Sequence, residues 1–328
     1  MRLRPLLAAI PFALLLASQA AAQRPARTTT VVEILGLRTW TREMVEDSVA
    51  RFQPGVSLSD HACAVILRDS VGFANAASTG FSRGGDTVWQ VLTVVEPGRR
   101  AQVRFRPHTA RRPKVREWAD VFAILDRHGE ALGALQFPQV LLGEADSAFG
   151  QPLTDAADDL RRAVRRHRSA RDWELARTAI LSDSSNHNRI VAALVLSNFH
   201  DRDSTYHLLA EGLRGPDAGA SIAGMVLSAL ARGAPRRVDW HPARDALSAL
   251  FGGTNLFAYT NVMDALVATQ IDPALGRELA RVDADLLLDH LGATNPFSPP
   301  PMRRYLVHVR GEDLGPDPAP WREWLAGS

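Results

Sequence analysis

Cysteine is almost missing: Cys63 is the only one in 328 residues. Its isolation excludes an intramolecular disulfide and any thiolate-based metal cluster, so the fold must stand on its hydrophobic core. Cys63 lies between Ala62 and Ala64 on an apolar helical pattern, where a buried inert thiol is expected rather than a reactive nucleophile. The 10 histidines are scattered, with no H-x-x-x-H or H-E-x-x-H pair, and no metal or cofactor is expected. No charge of one sign dominates: 38 basic residues face 36 acidic ones. Nucleic-acid binders carry a clear basic excess, so that class of partner is set aside. Beyond the N-terminus, no apolar run approaches the ~20 residues of a membrane-spanning helix.

The N-terminus itself is informative. Arg2 and Arg4 precede an apolar run from Leu6 to Ala17 and the small residues Ala20, Ala21 and Ala22. This is the pattern of a secretory signal peptide cleaved after Ala22, and it predicts export, to the periplasm or beyond the cell. No lipobox cysteine follows, which argues against a lipid anchor. Loss of Arg2 and Arg4 would leave the mature chain close to neutral.

Residues 23–30 are polar and are expected to be disordered. "VVEILGLRTW" (31–40) then reads as a strand ending near Gly36, and Thr41 can cap a helix carrying Met44, Val45, Val49 and Phe52. A second helix is expected after Ser59, with Ala62, Val65, Ile66 and Val71 on one face and a stop at Gly72. "FANAASTGF" is extended in character, and "TVWQVLTVVEP" is a strand. Between them Gly84-Gly85-Asp86 is hairpin chemistry, since such turns need residues that tolerate positive φ. The predicted order is β-α-α-β-β.

With its "PGVSLS" linker and "VILRDSVGF" segment, the stretch 31–97 resembles a POTRA (polypeptide-transport-associated) domain. The resemblance implies that the strand after the second helix, about 75–82, offers an edge to a partner chain. On that basis Asn75, Ser78, Thr79, Phe81 and Ser82 are candidate partner-binding residues. Low side-chain bulk in "ANAASTG" suits close approach of another backbone; a merely solvated edge is the alternative. Unlike many such modules, this one continues into a helical region, not an outer-membrane barrel.

Arg99, Arg100, Arg104, Arg106, Arg111, Arg112, Lys114 and Arg116 make eight basic residues without one acid between 99 and 116. Pro107 and Pro113 mark a connector, and "AQVRFRP" could extend the preceding strand. The cluster could attract an anionic envelope surface, each cation contributing about 1 kcal/mol near such a membrane, or be a solvated linker neutralised by acidic neighbours. A further arginine run, 161–171, has the same two readings.

Helical spacing governs the rest. "EWADVFAILDRHGEALGAL" carries Trp118, Val121, Phe122 and Leu125 on one face, and Leu160, Ala163, Val164 and His167 form another. Helices then come in pairs, with first members starting near Asp172, Ser204, Pro242 and Pro273 at spacings of 32, 38 and 31 residues. "AALVLSNF" aligns with "AGMVLSAL" over a 31-residue offset. From 172 to about 291 the chain resembles HEAT-type helical repeats, with Asp183, Asp201 and Asp217 in or near turns; other α-solenoids share the period. "NPFSPPPMRR" is expected to break the helices, and "PWREWL" to form a capping helix with Trp321 and Trp324 packed inward.

The fold class expected is therefore a small α+β N-terminal domain (31–106), a basic connector (107–117), and a mainly α-helical solenoid domain (118–328). Only "GFSRGGDTVW" carries a catalytic pattern, Gly80, Ser82 and Gly84 in the G-x-S-x-G spacing of serine hydrolases. That motif works on a strand-to-helix turn within an alternating α/β sheet, which this chain does not predict. A serine hydrolase at Ser82 stays a remote alternative. The expected function is non-catalytic, binding a protein or peptide through the sheet edge and the repeat surface.

Overall fold

A computed structural model describes residues 29–327 except 83–86, 137, 144–146, 149–150 and 217. The expected signal peptide, most of the polar start, the Gly84–Asp86 turn and Asp217 lie outside the described residues. Strand β1 (Thr29–Leu35) begins two residues earlier than expected, so Thr29 and Thr30 are paired, not disordered. Helix α1 (Arg42–Phe52) follows, capped by Thr41, whose Oγ1 accepts from the Met44 amide at 3.3 Å. Helix α2 (Ala62–Ile66) widens into a π-turn over Leu67–Val71 and stops at Gly72, where φ is +94°. Val65, expected inside, is 49% exposed because α2 turns it away from the sheet.

Strands β2 (Asn75–Ser82) and β3 (Thr87–Val95) complete a three-stranded sheet in the order β1-β3-β2. β3 runs parallel to β1, with Val31 beside Trp89, and antiparallel to β2, with Thr79 beside Val91. Being central, β3 is covered on both faces, which is why its second half is an unbroken apolar run. Leu92 and Val94 pack with Val45, Val49, Cys63 and Leu67 under α1 and α2. Val95, with Ala74 of the preceding loop and Ala77 of β2, joins the core of the helical body. The sheet is thus a middle layer between two sets of helices.

That body comprises α3 (Ala119–Leu125), α4 (Pro138–Leu141), α5 (Asp155–Arg166), α6 (Ala170–Ser182), α7 (Asn186–Leu196), α8 (Asp203–Gly212) and α9 (Ala218–Gly233). It continues with α10 (Arg244–Phe251), α11 (Tyr259–Ala268), α12 (Pro273–Ala280), α13 (Ala284–Leu291), α14 (Pro299–Arg310) and α15 (Pro318–Ala326). Helices α6, α8, α10 and α12 contact one another in sequence, as do α7, α9, α11 and α14. Small residues set the spacing: a Cβ on Gly224 of α9 would lie 3.0 Å from Leu213 and 3.2 Å from Ala258. "NPFSPPPMRR" does not simply break the helices. Pro299, Pro300 and Pro301 occupy the first turn of α14, where a missing amide hydrogen costs nothing. In α15 Trp321 is fully buried and Trp324 half-buried, their rings edge to face at 6.0 Å.

The basic segment is neither a strand extension nor a dangling linker. After a 3₁₀ turn over Pro97–Gln102 it runs extended across the ends of the helix pairs. Arg99 pairs with Asp283 between α12 and α13 (2.6 Å), and the Arg104 amide donates to Thr254 Oγ1 between α10 and α11 (2.8 Å). The Arg106 amide donates to Arg214 O after α8 (2.9 Å), and Ala110 bridges to Asp183 between α6 and α7. The anchors lie two to five residues apart, about 7–16 Å of extended chain, comparable with the spacing of packed helices, about 8–10 Å. One extended strap can therefore touch each pair in turn.

Candidate functional site

β2 is paired only with β3 among the described residues, so its other edge carries no strand. Beside that edge lies a cleft of about 350 Å³, walled by Asn75–Ser78, by Phe105 of the strap and by the α8–α9 and α10–α11 turns. Folding builds it from three distant parts of the chain. Asn75 fixes the floor: its Nδ2 donates to Gly253 O (2.8 Å) and Thr254 O (3.0 Å). Gly253, at φ +87°, lets the α10–α11 turn come so close that a Cβ there would sit 2.5 Å from Val95.

Phe105 and Phe257, 36% and 52% exposed, are two of the few large apolar side chains open to solvent among the described residues, and both line this cleft. Exposed aromatics beside an open strand edge mark a contact surface more strongly than either does alone. Ser221 and Phe257 also border a recess of about 390 Å³ against Met225 and Ser228 of α9. On the other side, Phe105 and Pro216 border one of about 440 Å³ reaching His108 and Ser184. The three form a run along β2 and the helix ends.

The five residues expected to bind a partner do not act together. Asn75 is buried and holds the sheet to the helices, and Phe81 stacks on Phe297 at 4.7 Å. Ser78 does line the cleft, although its hydroxyl is engaged by Gln90 and its carbonyl lies 3.3 Å from His61 Nδ1. Thr79 is half-buried in mid-strand, and Ser82 ends β2. What comes next in the described chain is β3, antiparallel, so Ser82 is not on a strand-to-helix turn. Sequence reading missed Phe105, Phe257 and Ser221, whose only signal was an aromatic in a basic connector and another in a helix-pair turn.

The basic strap divides in two. Arg99, Arg106 and Lys114 pair with Asp283, Glu211 and Asp126, while Arg100 donates to Gly72 O at 3.0 Å. Arg104, Arg111, Arg112 and Arg116 are exposed, and their guanidinium groups have no carboxylate partner among the described residues. Three of the eight cations are thus neutralised by carboxylates from other elements, Arg99 and Arg106 in partly buried pairs and Lys114 at the surface.

Titratable groups offer little reactive chemistry. Burial, reinforced by the charge of Asp60, pushes the Cys63 thiol up to about 11, so it is not a thiolate at neutral pH. His167 bridges Asp120 (3.0 Å) and Asp172 (3.4 Å), a cluster the sequence did not reveal. Burial opposes ionisation of Asp172, yet bonds from Ser169 and Trp118 hold its carboxyl below the usual range. Asp172 belongs to the capping box of α6, and Asp120 is held by Arg166 (2.6 Å) as well as by His167. Among the described residues no group of histidine, cysteine and carboxylate side chains could hold a metal ion, and no helix is long and apolar enough to cross a membrane. No family model, curated protein or solved structure matches this chain.

Proposed function

We propose that the protein is an exported, non-catalytic interaction protein that takes an extended segment of a partner into the cleft beside β2. The observation that carries this reading is the coincidence of an unpaired strand edge with exposed Phe105 and Phe257 on its open side. Strand addition supplies affinity through backbone hydrogen bonds, while pockets for alternate side chains supply selectivity. The element order β1-α1-α2-β2-β3 supports a POTRA-like module, and the two rows of successively packed helices support a short HEAT-like solenoid. A serine hydrolase at Ser82 is the remote alternative, which the antiparallel pairing of β2 with β3 does not favour.

A displayed library of random peptides, panned on the purified protein, tests this directly. Selected peptides should share an alternating apolar pattern and bind at least tenfold more weakly to Phe257→Ser, since central aromatic anchors dominate such interfaces. Selected peptides that bind Phe257→Ser and Phe105→Ser as tightly as the wild type would remove the cleft from consideration.

One observation favours a second reading, contact with an anionic envelope surface through Arg104, Arg111, Arg112 and Arg116. Vesicles containing phosphatidylglycerol should then retain the protein at low salt and release it as salt rises, because exposed charges are screened. Absence of retention at low salt excludes it.

A further inference from the structure

We propose that the partner segment is acidic at one end: an apolar residue enters the cleft beside β2, and carboxylates farther along the segment meet Arg111 and Arg112 of the strap. The inference rests on the cleft reading above and names the chemistry of its occupant. Exposure alternates along the strap: Phe105, Pro107, Thr109 and Arg111 are exposed, while Arg106, His108 and Ala110 are half-buried. A period of two places the exposed four on one face of an extended chain. That face begins in the cleft at Phe105, and Phe105 and Pro107 wall the adjoining recess together with Ser184. The Ser184 amide donates to Ala110 O at 2.9 Å, so the recess ends beside Arg111. Arg111 lies six residues beyond Phe105, about 20 Å along an extended chain.

Charge selects the occupant. Cations lining the recesses contribute nothing to that choice: Arg68 is closed on Asp69 (2.8 Å), Arg106 on Glu211 (2.9 Å) and Arg189 on the Asp183 carbonyl. Arg111 and Arg112 differ, being exposed with no hydrogen bond or carboxylate from any described residue. Among the described residues no aspartate or glutamate lines the cleft or either adjoining recess, so an acidic chain meets no like charge on the way. The backbone supports the same path. The amides of Arg106 and Ala110 are bonded to Arg214 O and Ser182 O at the helix ends. In an extended chain the amides of Phe105 and Thr109 fall on the opposite edge, and they have no partner among the described residues. Pro107 has no amide hydrogen to offer there, so backbone pairing is short and the charges supply the discrimination.

A displayed library of random peptides, panned on the purified full-length protein at low salt, tests the assignment by position. Selected peptides should carry aspartate or glutamate at a fixed spacing of about six residues from an apolar anchor. Replacing those acids by asparagine or glutamine should weaken binding about five- to tenfold, and rising salt should erase the difference, because exposed pairs are modest and screened. Panned on Arg111→Gln/Arg112→Gln, the same library should yield the anchor without the acids. Panned on Arg111→Glu/Arg112→Glu, it should yield lysine or arginine at that spacing. Both variants change exposed, unpaired side chains and should melt with the wild type. Peptides that share the anchor and need Phe257, but show no acid enrichment, overturn this proposal and leave the cleft standing. Acids enriched at no fixed spacing, or retained against the double glutamine variant, also overturn it. If that variant then loses its hold on phosphatidylglycerol vesicles, the two cations belong to a membrane surface instead. A library that yields no Phe257-dependent peptide removes the cleft, and the proposal with it.

Discussion

Glu96 ends β3 with a carboxylate that organises the loop between β1 and α1. It accepts from the amides of Arg38 (2.7 Å), Thr39 (2.9 Å) and Trp40 (2.9 Å) and from Thr39 Oγ1 (2.7 Å). Burial opposes its ionisation, but these donors outweigh that and hold it below the ordinary glutamate range. Glu96→Ala leaves three amides without their acceptor, and denaturant titration should show a loss of about 2–4 kcal/mol. His290 is the opposite case. It is buried against Tyr259, ring centroids 5.0 Å apart, and neither ring nitrogen finds a partner among the described residues. Burial depresses its pKa from 6.5 to about 4, against a smaller opposing pull from Glu33. The unfolded chain therefore takes up a proton near pH 6.5 that the folded chain refuses until about pH 4, so stability falls as pH drops through that window. At pH 5 the cost is about 2 kcal/mol, and His290→Leu should flatten that part of the stability curve. A wild-type curve level between pH 7 and 4.5 contradicts this account. No local pattern marks His290 as isolated; its burial depends on Tyr259 of α11 stacking over α13.

The strap and α14 are the elements whose behaviour departs most from their composition. Eight cations without an acid look like a surface for anions, yet the strap's acids come from other elements: Asp283, Glu211 and Asp126. Asp283 is almost wholly buried and also caps α13 by accepting from the Leu286 amide at 3.0 Å. Arg99→Ala leaves that charge without its cation, and thermal melts should report a loss of about 3 kcal/mol. Arg111→Ala, on an unpaired exposed cation, should change stability by less than about 0.5 kcal/mol. An equal effect from the two would mean that the strap is not anchored as described. The helix pairs were legible because a 3.6-residue apolar period is a local signal. The start of α14 was misread because proline ends one helix and begins another with the same residue type.

For the whole molecule, the sheet and the helical body share one interface rather than a linker. Gly36 permits it on one side, its amide bonded to Asp289 at 2.9 Å and its missing Cβ leaving room for Val94 O. Glu33 extends it, accepting from the Thr294 and Asn295 amides at 2.6 and 3.1 Å. The two parts should unfold together, with the slowest-exchanging amides of β3 and α7 reporting the same opening free energy by hydrogen exchange. A markedly lower value in β3 would show that the sheet opens alone. The division into a small sheet unit and a helical region was determined by the sequence itself, because β-branched alternation, turn residues and helical periodicity act over a few residues. Which cations are neutralised and that β2 opens onto Phe105 and Phe257 were decided only by tertiary structure. Each depends on groups separated by up to about two hundred residues, whose pairing no local pattern encodes.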